Sequence, residues 1–263
     1  MSMQDSDQYK RKKALFERVL TVYGRKPALE ALRDHRLQCQ ALHLASTNRA
    51  GGIIEELRQE AEARGIPVKE HSREALSRIS KNGKQDQGVA LDILCPAFRP
   101  LQTYLEELPS LPPQRVLALD GITNPQNLGM ILRSACAGNI DAVLWSRKGN
   151  AALGPLVIKA SAGTLYRAPL VLCESQAKGL QALSASGFEI CSLEAQARST
   201  LFEHSPTGHV AFVLGNETEG VSREVAELAD TALSIPMNNE VESLNVAVTA
   251  SLIAYARGIG KGA

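Results

Sequence analysis

Apolar residues in this chain fall into short runs broken by glycine, proline or polar clusters, and the runs alternate between the two-residue and 3.6-residue periods. A helical pattern around Ala14–Leu20 leads into a β-rich segment, Leu20–Tyr23, that stops at Gly24. Pro27 opens a helix over Ala28–Arg36, where Leu29 and Leu32 share a face. Ala41–Ala45 reads as a strand, and Ile53–Arg64 as a helix ended by Gly65. A brief strand at Pro67–Lys69, a helix at Ser72–Ser80, a turn at Lys81–Lys84 and a strand at Gly88–Leu94 complete a compact alternating α/β unit. Further on, Arg115–Leu119 predicts a strand, Asp120–Gly129 a loop, Met130–Gly138 a helix and Ala142–Trp145 a strand. A helix near Leu156–Ser161 precedes Gly163, followed by a strand at Pro169–Cys173 and a helix at Gln176–Ala185. Strands follow at Glu189–Leu193, at the almost wholly apolar Val210–Leu214 and at Ala232–Ser234, before a long apolar helix opening near Val246. This alternation predicts an α/β fold with a parallel sheet carrying helices on its faces.

Between the two units lie Pro96, Pro100, Pro109, Pro112 and Pro113 around a short Tyr104–Leu108 stretch. Because proline removes backbone donors and fixes φ, residues 96–113 read as a linker rather than a core element. The expected organisation is a polar basic arm at 1–13, a front domain at 14–95, the linker, and a back domain at 114–263.

Composition narrows the class. An apolar fraction of 44% with 22% charged residues is that of an ordinary globular protein. No apolar run reaches the roughly 18 residues of a membrane-spanning helix, and the polar start, ending in Lys10-Arg11-Lys12-Lys13, has no apolar segment behind it. A cytoplasmic location is therefore expected. Cys39, Cys95, Cys136, Cys173 and Cys191 are scattered and odd in number, and the five histidines form no helical His-x-x-x-His. These spacings suggest neither a disulfide framework nor a metal, and none is expected. Net charge is +1, but unevenly spread: residues 1–100 hold 18 Lys and Arg against 13 Asp and Glu, and the remainder 11 against 15. A basic front half suits contact with a polyanion.

Ligands of open parallel α/β sheets sit beyond the carboxyl ends of the strands, and three loops there carry polar clusters. The first runs from Asp120 through Asn127 and Gly129 to Arg133; the second is Gly215-Asn216-Glu217-Thr218-Glu219-Gly220; the third joins Ile235-Pro236-Met237 to Glu242-Ser243-Leu244-Asn245-Val246. Singly, each has a plain structural explanation: Asn-Pro and Asp-Gly turns, a surface Arg133, Ser243 as an N-cap, Gly215 as a strand end. Their succession behind parallel strands is the stronger signal. A P-loop, a Gly-x-Ser-x-Gly elbow and a helix-opening dinucleotide fingerprint are all absent; Gly258-Ile-Gly260-Lys-Gly262 has no helix after it.

In order and spacing the trio resembles the signature motifs of the TrmH-like (SpoU) branch of SPOUT-class RNA 2′-O-ribose methyltransferases. Asn127 with Arg133 matches the first, Gly215-Asn216-Glu217 with Gly220 the second, and Ile235-Pro236-Met237 with Ser243-Leu244-Asn245-Val246 the third. Tyr23-Gly24 and Gln87-Gly88 resemble the small RNA-binding substrate domain that often precedes such a domain. The family's His before this Gln-Gly is Asp86 here, its usual Asp-Pro is Asn124-Pro125, and Glu242 stands where small residues are common.

The resemblance implies a C-terminal trefoil knot, a homodimer with its active site close to the subunit interface, and S-adenosyl-L-methionine as cofactor. It implies a pocket lined by Leu214, Gly215, Ile235, Met237 and Leu244, and catalytic roles for Asn127, Arg133, Glu217, Ser243 and Asn245. Guanidinium stays protonated, so Arg133 is expected to hold a phosphate and stabilise a developing alkoxide; Glu217 is the alternative handler of the proton. Structured RNA is the expected partner, ribosomal ahead of transfer RNA, and a non-catalytic RNA-binding or assembly protein on the same fold is the rival reading.

Overall fold

The computed structural model describes residues 17–256. The basic arm with Arg11, Lys12 and Lys13, residues 14–16 at the start of the expected helical pattern, and Gly258–Gly262 lie outside the described residues, and the rest of that pattern gives way to a strand at Val19. The chain divides into two compact units, residues 1–96 and 97–263.

The front unit runs β1 (Val19–Tyr23), α1 (Arg25–Arg33), β2 (Gln38–Ala45), α2 (Ile53–Ala63), β3 (Val68–His71), α3 (Arg73–Ser80) and β4 (Val89–Leu94). Its sheet has the order β1-β4-β2-β3, with only β2 and β3 paired in parallel. Fully buried Val22, Leu42, Leu44, Leu91 and Ile93 from the strands meet Leu32, Leu57 and Leu76 from the helices. Helix α1 starts at Arg25, before Pro27, and ends at Arg33, three residues short of the expected limit. Proline in the first turn costs no intrahelical bond, so it need not mark the first helical position.

Asp86 organises the loop between α3 and β4. Its side chain is fully buried, and accepts from Arg73 Nη1 at 2.6 Å, Ser80 Oγ at 2.8 Å and the Gly88 amide at 2.9 Å. A buried carboxylate needs such partners. The departure from the family's histidine is thus matched by a built anion site. Asp86→Ala should lower the stability of this unit by about 2–3 kcal/mol, since it strands three donors, and denaturant titration will read the loss.

A second polar relay crosses the sheet. Thr21 Oγ1 donates to Asp92 at 2.7 Å, His43 Nε2 lies 3.1 Å from the same carboxylate, and His43 Nδ1 lies 2.9 Å from His71 Nε2. Burial first, then repulsion from His43 and Lys69, holds His71 below the usual histidine value. The unfolded chain therefore takes up this proton more readily than the folded one, so the stabilisation is complete above about pH 6.5 and shrinks as the pH falls below it. The denaturation midpoint should drop between about pH 7.5 and about pH 5.5, and His71→Gln should flatten that slope.

The back unit runs β5 (Arg99–Pro100), α4 (Leu101–Glu107), β6 (Arg115–Leu119), α5 (Pro125–Ala137), β7 (Ala142–Ser146), α6 (Pro155–Ala160), β8 (Leu170–Cys173), α7 (Gln176–Ala185), β9 (Glu189–Leu193), β10 (Ser199–Thr200), β11 (Val210–Leu214), α8 (Arg223–Ala226), β12 (Thr231–Ser234) and α9 (Val246–Tyr255). Eight strands in the order β10-β12-β9-β11-β6-β7-β8-β5 form a sheet whose neighbours are all parallel. Every residue of β6, β7 and β11 is buried, as expected of strands covered on both faces. Tyr104 and Leu108 join Ala118, Leu144, Leu180 and Val213 in one core cluster. Among the described residues no helix is long and apolar enough to cross a membrane.

Two expectations fail here. Residues 96–113 are not a linker: β5 pairs with β8 at the sheet edge, and α4 buries Tyr104 completely. The prolines bracket these elements instead of interrupting them, Pro100 on an edge strand just before α4 and Pro109 in a short 3-10 turn. Helix α5 begins at Pro125, not Met130, with the Asn124 side chain accepting from the Gln126 and Asn127 amides. An N-cap asparagine followed by proline at the first position is a helix start, and it outweighs the turn reading of Asn-Pro.

Candidate active site

Chain order around β6 creates the site. The sheet grows from β6 through β7 and β8 on one side, while β11, β9 and β12 lie on the other. Loops leaving β6 and β11 therefore depart from neighbouring strand ends, the crevice where parallel sheets bind ligands. The two loops are tied together: the Asp120 amide donates to Leu214 O at 2.8 Å, Asn216 Nδ2 to Gly121 O at 2.9 Å, and the Ser222 amide to Asp120 Oδ2 at 2.7 Å. Asn150, which sequence reasoning did not single out, braces the first loop by accepting from the Ile122 amide and donating to Leu119 O. Its only sequence signal is a Gly-Asn turn.

Beyond Leu214 the chain doubles back sharply. Asn216 and Gly220 exchange reciprocal backbone bonds of 2.8 and 2.9 Å. A Cβ on Gly215 would collide with the backbone of Gly220 and Val221, so this position admits only glycine. Gly129 is equally constrained, since a Cβ there would come within 2.8 Å of Val157 O and 2.9 Å of Ser161 N, where α5 packs on α6.

The returning loop carries Glu217 to two asparagines from the other loops. Asn127 Nδ2 and Asn245 Nδ2 both donate to Glu217 Oε1, at 2.9 and 2.7 Å, and Asn245 Nδ2 also lies 3.2 Å from Asn127 Oδ1. Asn245 Oδ1 accepts from the Ala247 amide at 2.9 Å and caps α9. Asn245, not Ser243, is the N-cap, and capping turns its NH2 group toward the carboxylate. Glu217 Oε2 has no protein partner among the described residues.

Alongside lies an open cavity of about 210 Å³. Leu214, Gly215, Ile235, Met237 and Leu244 all line it, and Glu217 and Ser243 stand at its wall. Arg133 is not gathered into this group. It is exposed on α5 and makes no hydrogen bond or ion pair among the described residues. Six residues after Asn127, it points about 120° away around the helix, on the exposed stripe of Met130 and Ala137. That stripe flanks α9, where Ser134 bonds Ser251 and the Tyr255 hydroxyl bonds Ala137 O.

Comparison with known proteins agrees with this layout. The model of the SpoU rRNA Methylase family matches residues 114–255, and that for RNA 2′-O ribose methyltransferase substrate binding matches residues 21–94. A protein of Mycolicibacterium smegmatis, described as an uncharacterized tRNA/rRNA methyltransferase, is 34% identical over 233 residues, spanning 88% of this chain and 74% of its own. A Porphyromonas gingivalis structure described as an RNA methyltransferase of the TrmH family aligns with TM-score 0.60 at 27% identity, covering 94% of this chain and 92% of the other. An AdoMet-bound rRNA methyltransferase from Sinorhizobium meliloti shares the fold, with TM-score 0.62 at 20% identity over 95% of this chain and 92% of the other. The first family model spans the central strands, the cavity and all three polar loops, and the chain therefore belongs to the SpoU rRNA methylase family and is an RNA methyltransferase.

Proposed function

We propose that this protein transfers a methyl group from S-adenosyl-L-methionine to a ribose 2′-hydroxyl of structured RNA, ribosomal RNA ahead of transfer RNA. The observation that carries this reading is the convergence of Asn127, Glu217 and Asn245 beside a cavity whose lining includes Gly215, Ile235 and Leu244. The cavity fits the cofactor in kind: leucine and isoleucine side chains suit the faces of a purine, and glycine at 215 keeps the chain path narrow enough to leave the slot open. When bound, S-adenosyl-L-methionine supplies an electrophilic methyl on a cationic sulfonium.

The chain's own residues supply orientation and charge. Asn127 and Asn245 fix one oxygen of Glu217, leaving the other for the ribose hydroxyl or its proton. Ser243, exposed at the cavity wall, orients the sugar. Arg133 remains cationic, grips a phosphate and stabilises the developing alkoxide. The front unit, which the substrate-binding model matches, holds the RNA, with basic residues on its surface engaging phosphates. Such a division of labour suits a cytoplasmic enzyme.

Homodimerisation through the α5–α9 face completes this reading. Met130, Val248 and Tyr255 are each at least 40% exposed there, a concentration of apolar surface that association would cover. Arg133 shares the stripe and would reach the interface where the site forms. We also propose that the segment from Ile235 to Asn245 threads the preceding loops as a trefoil knot, consistent with the tight return at Gly215.

Incubating the protein with labelled methyl donor and separated ribosomal and transfer RNA tests the reaction. Label should enter ribose of the ribosomal fraction; label in transfer RNA alone would change the target, and no label in any RNA would favour a binding protein. Arg133→Ala should lower transfer at least about 100-fold, the scale of one removed charge stabiliser, while cofactor affinity measured by calorimetry stays nearly constant. Full activity in that variant would sink its assignment. Met130→Glu should shift the mass measured by light scattering from dimer towards monomer; an unchanged dimer would place the interface elsewhere.

A further inference from the structure

The sheet carries a second polar cluster, built from Glu189 and Cys191 on β9 and from His204 in the loop before β11. Glu189 and Cys191, two apart on one strand, project to the same side. His204 Nε2 lies 3.6 Å from Cys191 Sγ and 3.3 Å from Glu189 Oε2, and the three donor atoms are all within 4.8 Å of one another. Cys191 is fully buried, while His204 and Glu189 side chains are 16% and 32% exposed.

Two ordinary explanations are a catalytic relay and a plain hydrogen-bond network. In a relay the base uses one ring nitrogen for the nucleophile and the other for the carboxylate that orients it. Here the same Nε2 faces both the thiol and the carboxylate, so the cluster is not arranged to pass a proton. Two of the three donor spacings instead match those of ligands on one ion, and the third pair, Cys191 Sγ and the Glu189 carboxylate, lies within 4.8 Å. Tetrahedral zinc with bonds of about 2.3 Å to sulfur and about 2.0–2.1 Å to nitrogen and oxygen sets S···N near 3.6 Å and N···O near 3.3–3.4 Å. The spacings found are 3.6 and 3.3 Å. A supporting shell is also present: Thr231 Oγ1 donates to Glu189 Oε1 at 3.0 Å, which leaves Oε2 turned to the cluster, and the Phe212 ring packs edge-on against His204.

We propose that Glu189, Cys191 and His204 bind one zinc ion or a similar borderline divalent transition metal, with water as the fourth ligand. Thiolate and imidazole favour such an ion over magnesium or calcium. Binding displaces the Cys191 proton to solvent and makes the sulfur a thiolate ligand. The site lies in the fold at the start of β9, whereas the methyl-transfer residues follow the carboxyl ends of β6, β11 and β12. The ion would tie β9 to the loop leading into β11.

Cobalt(II) titration of the fully reduced, tag-free full-length protein tests this. One equivalent should produce a thiolate-to-cobalt charge-transfer band with intense tetrahedral ligand-field bands, and zinc should bleach both. Cys191→Ser should lose the charge-transfer band, and His204→Gln should weaken cobalt affinity at least tenfold; circular dichroism checks that each variant folds. At a zinc concentration a hundredfold above the dissociation constant, the melting midpoint of wild type should rise by roughly 5 °C, and that shift should vanish in Cys191→Ser. A wild-type protein without the charge-transfer band, or a band that survives in folded Cys191→Ser, would overturn the proposal. Should Cys191→Ser not fold, an unchanged cobalt affinity in folded His204→Gln would overturn it equally.

Discussion

The constraint on which the site depends is the return of the chain over Gly215. With no Cβ there, residues 216–220 close on themselves by two backbone bonds and pass against the strand end without a side chain between. That closure fixes where Glu217 stands, brings Ser222 to Asp120, and forms one wall of the cavity. Any larger residue at 215 would force the backbone of Gly220 and Val221 outward, and Glu217 would leave the reach of Asn127 and Asn245. A single missing methyl group thus governs both the pocket and the polar cluster beside it.

Glu217 is itself exposed, which makes its fixed position instructive. An exposed carboxylate on a loop ordinarily samples many rotamers, and ordering it costs side-chain entropy. Two amide donors from elements already fixed by capping offset that cost: Asn127 sits in the first turn of α5 under the Asn124 cap, and Asn245 caps α9 with its own carbonyl oxygen. Helix capping, usually a matter of local stability, here also aims the side chains. Preorganised dipoles of this kind contribute more to catalysis than contacts that must form during the reaction.

Much of this was legible in the sequence, and the failures have identifiable causes. Strands β6, β9 and β11 and helix α7 match their expected limits because continuous apolar runs or a clear 3.6-residue pattern met abrupt polar ends. The three motif loops were legible because glycine and asparagine clusters are rare so close to apolar strands. Proline misled in both directions: at Pro100 and Pro109 it suggested a linker where an edge strand and a helix pack, and at Pro125 it suggested a turn where it opens α5. A proline alone does not say on which side of it structure lies; the asparagine cap before Pro125 does. The Glu189–Cys191–His204 cluster was invisible because its spacing matches no linear metal motif, and only pairing of β9 with β11 and β12 folds the intervening loop back.

Helical geometry also bears on the first motif. Residues six apart on a helix stand about 120° from one another, so Asn127 and Arg133 cannot both face the same small site from one undistorted α5. Asn127 is buried against Glu217, and Arg133 is exposed on the stripe with Met130. Two arrangements reconcile a motif that contains both: a long RNA substrate that bridges from the cavity to the exposed stripe, or a second copy whose Arg133 approaches the site. The apolar character of the stripe favours the second, because Met130, Val248 and Tyr255 gain by leaving water whereas a phosphate backbone would gain little from them.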